Sequence, residues 1–406
     1  MGLTELWKNE RHQLADKRVH QVIAFAGTGR LADDNDTSRE FREFLRHVPT
    51  ETLAQYVDEC LEAGFQDSGL ALQDVVNQIG QRLGFVVTDG RYRGRHGTSG
   101  HDGLWRLAGG HAILVEVKTT DAYRIDLNTL AGYRRTLIDS ATIPADKSSI
   151  LIVVGRQDTG DLEAQIRGSR QAWDVRLISV GALLRLLRLK EAVEDPDTIQ
   201  RIHAILIPQE FTRLDDIVDI AFSTAEEAQT SEPEIDTPAP VVSEPSETPE
   251  RTGPKFIPVK FHDKCATRLE VVLSTTLVKV SRSTFSSPDQ RIRVTCSISK
   301  KHDFAGDEAY WFAFHPYYLD FLKGSEQAFA AFGCGSDQQL FVFPLVDFEP
   351  WLADSYMTKR EDRFYWHVQI YREGNRWYLK RRQQAPEVQI TRYLAPPSLE
   401  GGPTSR

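Results

Sequence analysis

The chain has 406 residues, 40% hydrophobic and 26% charged, with a net charge of −9. That length allows two or three domains with cores of their own, and no stretch reaches the roughly 18 apolar residues of a membrane helix. The four cysteines (Cys60, Cys265, Cys296, Cys334) form no paired framework, and Met1 to Arg18 carries charge where a secretory signal has an apolar run, so a cytoplasmic setting with no membrane partner is expected.

The first 66 residues read as a helical region. "SREFREFLRHV" opens on a Ser cap signal at Ser38 and spaces Phe41, Phe44 and Leu45 at helical intervals. "PTETLAQYVDECLEAGF" repeats Leu53, Tyr56, Val57, Cys60 and Leu61 in the same way. Residues 26–30, "AGTGR", lack the Gly-Lys-Ser/Thr ending of a phosphate loop and read as a turn.

From residue 67 the period changes. "LALQDVVNQIGQRLGF" is an amphipathic helix running into a short strand, "FVVTDG". "DGLWRL" and "AILVEVKTT" are two strands joined by Ala-Gly-Gly. A helix follows, then "SSILIVVG", an apolar run expected of a strand buried on both faces. A helix, the strand "DVRLISV" and a last helix complete the segment 67–222. Helix, three strands, helix, strand, helix, strand, helix is an α/β order around a mixed sheet.

Residues 223–250 hold eight acids and no Lys or Arg, and setting those acids aside brings the net charge from −9 to −1. With six prolines, the segment 223–254 reads as a disordered, self-repelling linker. Residues 255–398 read as a separate, mainly β (α+β) domain with a recognition or sensing role. Its expected strands are 269–280, 291–298, 309–315, 338–344, 364–371 and 375–381, with a helix around 316–331 and a hairpin around Glu373-Gly374-Asn375. The aromatic cluster at 310–318 reads as core before it reads as a base-stacking platform. "KRR" at 380–382 is either a nucleic-acid contact or a solvated hairpin end. His262, Cys265, Cys296 and His302 include no second tight pair of the kind zinc sites use, and no nucleophile elbow supports Ser/His/Asp catalysis.

The chemistry concentrates in residues 102–118. Side chains two apart on a strand project together, so Glu116 and Lys118 share a face while Val117 points into the core. Asp102, 14 residues earlier across the Gly109-Gly110 turn, can be brought beside Glu116 by a hairpin. Two converging carboxylates, with the Val117 carbonyl as a further ligand, form a hard-oxygen site suited to Mg²⁺ or Mn²⁺, and an adjacent lysine suits attack on a phosphodiester. An isolated Glu-x-Lys is by default a solvated strand face, and Asp-Gly by default a turn. Against that default, Ile113, Val115 and Val117 mark this strand as central, where charges need a reason.

Asp102 and Glu116-Val117-Lys118, in that order of elements, resemble the PD-(D/E)XK superfamily, the restriction-endonuclease-like fold. The resemblance covers roughly residues 68–192. It implies that Asp102 and Glu116 bind the divalent ion and that Lys118 assists the attacking water. Family members often add an acidic residue from the helix before the first strand. Here Asp74 is the available carboxylate, and Gln73 or Gln78 are the other occupants of that place. "QIRGSR" resembles the Gln-containing helix of Mrr-like and archaeal-resolvase-like members and points to Gln165. Arg91, Arg93 and Arg95, on a glycine-rich loop nearby, are candidate phosphate contacts. The expected activity is a metal-dependent endonuclease acting on DNA, with RNA left open, in bacterial restriction or anti-phage defence. The alternative is an inactive nuclease fold serving as a nucleic-acid-binding or assembly module. A homodimer or a defence-complex partner fits two-strand cleavage.

The linker reading has a direct consequence. Limited proteolysis of the full chain is expected to cut within 223–254 first. First cuts elsewhere, with this segment protected, would show that it is docked and that the domain boundary is misplaced.

Overall fold

The computed structural model describes residues 2–62, 65–93, 100–119, 125–155, 160–208, 258–302, 305–359, 364–382 and 385–396. The linker 223–254 and Arg95 lie outside the described residues. The chain divides into two compact units, Met1–Thr224 and Ala225–Arg406, a division that falls within the acidic segment.

The first unit begins with five helices: α1 (Leu3–Asn9), α2 (Arg11–Ala15), α3 (Val19–Phe25), α4 (Asp36–His47) and α5 (Thr50–Glu62). Helix α4 starts two residues before the expected Ser38. Its N-cap is Asn35, whose side chain accepts the Ser38 N–H at 2.9 Å, and Asn caps as well as Ser does. Then come α6 (Ser68–Leu83), β1 (Val86–Asp89), β2 (Gly103–Arg106), β3 (Ala112–Lys118), α7 (Leu127–Asp139), β4 (Ser148–Val154), α8 (Gly160–Arg167), β5 (Val175–Ser179), α9 (Val180–Ala192) and α10 (Pro196–Ile205). The α/β order expected from residue 67 onward is observed through α9, and α10 follows as a further helix that was not expected.

The five strands form one mixed sheet in the order β1-β2-β3-β4-β5. The first three are an antiparallel meander, and β4 and β5 join in parallel, each reached through a helix. β3 and β4 are buried on both faces, which explains their nearly continuous apolar sequences. Ile113, Val115, Val117, Leu151 and Val153 face α6 and α9, while Leu114, Ile150, Ile152 and Val154 face α7 and α8.

The N-terminal helices share the first of these cores: Phe41, Phe44, Leu53 and Tyr56 belong to one cluster with Val75, Val76, Leu183 and Leu187. The change of period at residues 66–67 therefore marks a change of motif inside one packing unit. A buried polar joint reinforces it. Arg82 of α6 donates to the carbonyls of Leu45 (3.0 Å) and Val48 and to Thr50 Oγ1 (3.1 Å), and Thr50 donates to Glu191 at 2.7 Å.

The second unit opens with α11 (Pro258–Leu273), which overturns the strand expected from residue 269. Phe261, Cys265 and Leu269 recur at four-residue spacing on its buried side, and that packing outweighs the β-branched pair Val271-Val272. Two sheets follow. One has β12 (Leu340–Pro344), β11 (Gln327–Cys334), β8 (Ile292–Ser299), β7 (Thr284–Ser286) and β6 (Val278–Lys279) in that spatial order. The other has β16 (Val388–Gln389), β15 (Arg376–Lys380), β14 (Phe364–Glu373), β10 (Glu308–Phe314) and β9 (Lys301–His302), with β13 (Tyr356–Lys359) also on β14.

The helix expected at 316–331 stops early, as α12 (Pro316–Lys323), because 327–334 is needed as β11, paired in parallel with β8. Helix α13 (Leu345–Leu352), with Pro350 inside it, was not anticipated. The hairpin at Gly374 forms as expected, with Glu373 opposite Arg376. Tyr310, Phe312, Phe314 and Tyr318 are core, while Trp311 faces the other way and donates to His367 Nδ1 at 3.0 Å. The basic run at 380–382 is engaged internally: Arg381 pairs with Asp354, and Arg382 Nε donates to the Ser355 carbonyl at 2.8 Å. Among the described residues no helix is long and apolar enough to cross a membrane.

One packing contact in the first unit is tight enough to test. Gly80, in the interior of α6, lies under the fully buried Trp105 ring, and a Cβ there would come within 2.5 Å of it. In an exposed helix Gly→Ala stabilises by about 1 kcal/mol. Here Gly80→Ala is expected to destabilise by roughly 1–3 kcal/mol through overpacking. Chemical denaturation of the two proteins measures the sign, and a stabilised variant would contradict this packing.

Candidate active site

The antiparallel register of β2 on β3 sets Gly103 opposite Val115. One residue outward, Asp102 therefore stands beside Glu116, as the hairpin argument requires. The Asp102 N–H donates to the Val115 carbonyl at 3.0 Å, and its carboxylate Oδ2 accepts the Val117 N–H at 2.7 Å. Asp102 is thus tied to β3 by its backbone and its side chain. Val117 sends its own side chain into the core.

Glu116 is 8% exposed although it is charged. Its Oε1 accepts from Lys118 Nζ at 2.5 Å, and its Oε2 is buried without a hydrogen-bond partner. Burial pushes the Asp102 carboxyl up to about 7, the charge of Glu116 adds to the push, and the Val117 N–H and Lys118 pull back only in part. Burial opposes the charge of Lys118, but the hydrogen bond and charge of Glu116, then Asp102 and Tyr133, outweigh it and hold the ammonium above its ordinary pKa. The site therefore holds two crowded carboxylates, one ammonium and an oxygen still lacking a partner.

Other expected members are placed differently. Asp74 lies on α6, but its fully buried carboxylate pairs with Arg42 Nε at 2.8 Å and accepts from the Tyr92 hydroxyl. Arg42 also lies 3.9 Å from Asp89 and stacks over the Tyr92 ring at 4.8 Å. Burial lifts the Asp74 carboxyl to about 7 in spite of these partners. Asp74 faces Arg42, and the α6 side chains directed at the hairpin are Gln73 and Asn77. Their amides donate to the Asp102 carbonyl at 3.0 and 2.9 Å. Gln78 is buried on the same helix and makes neither of these bonds.

Gln165 spends both ends of its amide on the backbone of Ile125, accepting its N–H at 3.1 Å and donating to its carbonyl at 2.6 Å. No described hydrogen bond joins it to Asp102, Glu116 or Lys118. The backbone at two described residues beside the candidate arginines is fastened from the N-terminal region: Asp33 accepts the N–H groups of Tyr92 (2.8 Å) and Arg93 (3.3 Å). Arg93 is exposed, and Arg91 reaches Asp34 only at 3.9 Å.

Among the described residues no group of three His, Cys, Asp or Glu side chains is placed to hold a metal ion. The pair Asp102–Glu116 still fits a divalent cation. Both are hard-oxygen donors, Glu116 Oε2 is an orphaned buried acceptor, and the charge of Glu116 adds to the cost of ionising Asp102. The sequence reading missed Asn77, Arg42 and Tyr92. Asn77 was within reach of it, since it lies four residues after Gln73 on the same helix face. Compared with protein-family models and with curated proteins, the chain matches none.

The crowding of the carboxylates can be measured through pH. Asp102 holds its proton more tightly folded than unfolded. Its contribution to stability is therefore complete below about pH 4 and is lost as pH rises through about 7. Without metal, Asp102→Asn is expected to be more stable than the parent above pH 7, by on the order of 1 kcal/mol, and closer to it near pH 4. Thermal unfolding across that range in EDTA checks this, and parallel pH profiles would rule out the coupling.

Proposed function

We propose that the first unit is a divalent-metal-dependent endonuclease with a restriction-endonuclease-like, PD-(D/E)XK core. The observation that carries the reading is the juxtaposition of Asp102, Glu116 and Lys118 on the β2–β3 hairpin, with one Glu116 oxygen buried and unpartnered. The expected element order around that hairpin supports it as well.

Asp102 and Glu116 are the residues that would hold Mg²⁺ or Mn²⁺. Such an ion, when bound, supplies charge neutralisation and lowers the pKa of a coordinated water. Lys118, kept protonated by its two carboxylate neighbours, donates hydrogen bonds to the attacking water or to a scissile phosphate oxygen and offsets negative charge growing there. Asp102, bonded to the Val117 N–H, keeps its carboxylate fixed at the strand edge. Arg91 and Arg93 offer charge to flanking phosphates from a loop fastened by Asp33.

The substrate we infer is DNA, and an RNA substrate would leave the site chemistry unchanged. One such site cuts one strand at a time, so double-strand cleavage favours a homodimer or a defence-complex partner. A cytoplasmic role in restriction or anti-phage defence belongs to the same proposal and rests on analogy with nucleases joined to sensing modules. A second reading, an inactive nuclease fold that binds nucleic acid or assembles partners, draws support from Asp74, whose carboxylate is engaged by Arg42.

Cleavage separates the readings. Full-length protein incubated with plasmid, single-stranded DNA and RNA is expected to cut DNA with Mg²⁺ or Mn²⁺ and not with EDTA. Asp102→Ala and Glu116→Ala should abolish cutting while leaving the fold intact. Lys118→Met and Lys118→Arg should each lose on the order of 10²-fold while still binding metal. An active Lys118→Arg would count against a catalytic lysine, and no cutting of any substrate would favour the inactive fold.

A further inference from the structure

We propose that Gln73 and Asn77 are positioning residues that hold the Asp102 peptide, and through it the Asp102 carboxylate, against Glu116. The proposal rests on the metal-binding reading for its effect on metal affinity, while its structural part stands apart from that reading.

The Asp102 carbonyl receives three donors: Gln73 Nε2 at 3.0 Å, Asn77 Nδ2 at 2.9 Å and the Gly90 N–H at 3.0 Å. A carbonyl oxygen has two lone pairs, and backbone pairing requires only one donor. Two side-chain amides one helical turn apart, both directed at one peptide, exceed what sheet formation needs. The orientation of Asn77 is fixed by chemistry. The Trp105 indole N–H can only donate, and it donates to Asn77 Oδ1 at 3.0 Å, which leaves the Asn77 NH₂ facing Asp102. The approach depends on Gly103, where a Cβ would lie 2.2 Å from Asn77 Oδ1.

The physical task is to resist repulsion. Glu116 sits on a central strand and cannot yield, so a carboxylate beside it lowers its energy by swinging outward. Asp102 is retained at two points: its Oδ2 on the Val117 N–H, and its carbonyl on α6. Neutral amides do this without adding a third negative charge to the site. Position 73 therefore contributes a donor toward the hairpin, while the carboxylate of the neighbouring Asp74 is held by Arg42 and Tyr92.

The test compares the full-length protein with Gln73→Met, which keeps the side-chain length and removes the donor. We expect amide hydrogen exchange at Val117 to accelerate about tenfold or more while the β4 amides keep their protection. Mn²⁺ affinity should fall about 10- to 100-fold. Parental exchange at Val117 together with parental affinity would overturn the proposal. If the parent binds no Mn²⁺, the nuclease reading fails on its own, and the Val117 exchange rate still decides the positioning role. Should Gln73→Met lose protection everywhere, the parent supplies the answer. In the parent, the side-chain NH₂ groups of Gln73 and Asn77 should show through-hydrogen-bond couplings to the Asp102 carbonyl carbon, and absence of both couplings would equally overturn the proposal.

Discussion

Two carboxylates crowded on the edge of a buried hairpin are the constraint around which the first unit is organised. Burial, with the charge of Glu116 added to it, pushes the Asp102 carboxyl up to about 7. Asp102 and Glu116 are brought together by strand register, and a one-residue shift would exchange the two buried faces of β3 and drive Glu116 into the core that Val115 and Val117 fill. Lys118 compensates one carboxylate oxygen and leaves Glu116 Oε2 without a partner. Functional sites are where such electrostatic costs concentrate, and this arrangement is what the proposed cation would relieve.

The N-terminal helices belong to that arrangement. They share a core with α6 and α9, and α4 supplies Arg42, which engages Asp74. The turn before α4 supplies Asp33, which fastens the backbone at Tyr92 and Arg93. Tyr92 links the two contacts, since its hydroxyl bonds Asp74 and its ring lies under Arg42. The helical region therefore engages the Asp74 carboxylate and fastens the backbone at Tyr92 and Arg93.

Much of this was legible because it depends on short-range pattern. The Asp102–Glu116 juxtaposition follows from a hairpin and a two-residue alternation, and the central position of β3 follows from its apolar neighbours. Asp74, Gln73 and Gln78 stayed open from sequence because charge alone does not fix the helix face: positions 73 and 77 share a side, and 74 lies about 100° around the axis. Arg42, 32 residues earlier, could not be connected to Asp74 without tertiary structure. In the second unit the errors have the same origin. Val271-Val272 reads as strand locally, yet Phe261, Cys265 and Leu269 bury one helix face. Residues 327–331 read as helix locally, yet they are committed to pairing with β8.

The second unit supplies its own cores and engages Arg381 and Arg382 internally. For the first unit we propose that one divalent cation binds between Asp102 and Glu116. Crystals grown at pH 8 with Mn²⁺, measured for anomalous scattering, test it most directly. The account predicts a single strong peak within coordination distance of an Asp102 oxygen and of Glu116 Oε2. The absence of a peak at the hairpin, with both carboxylates ordered, would contradict it.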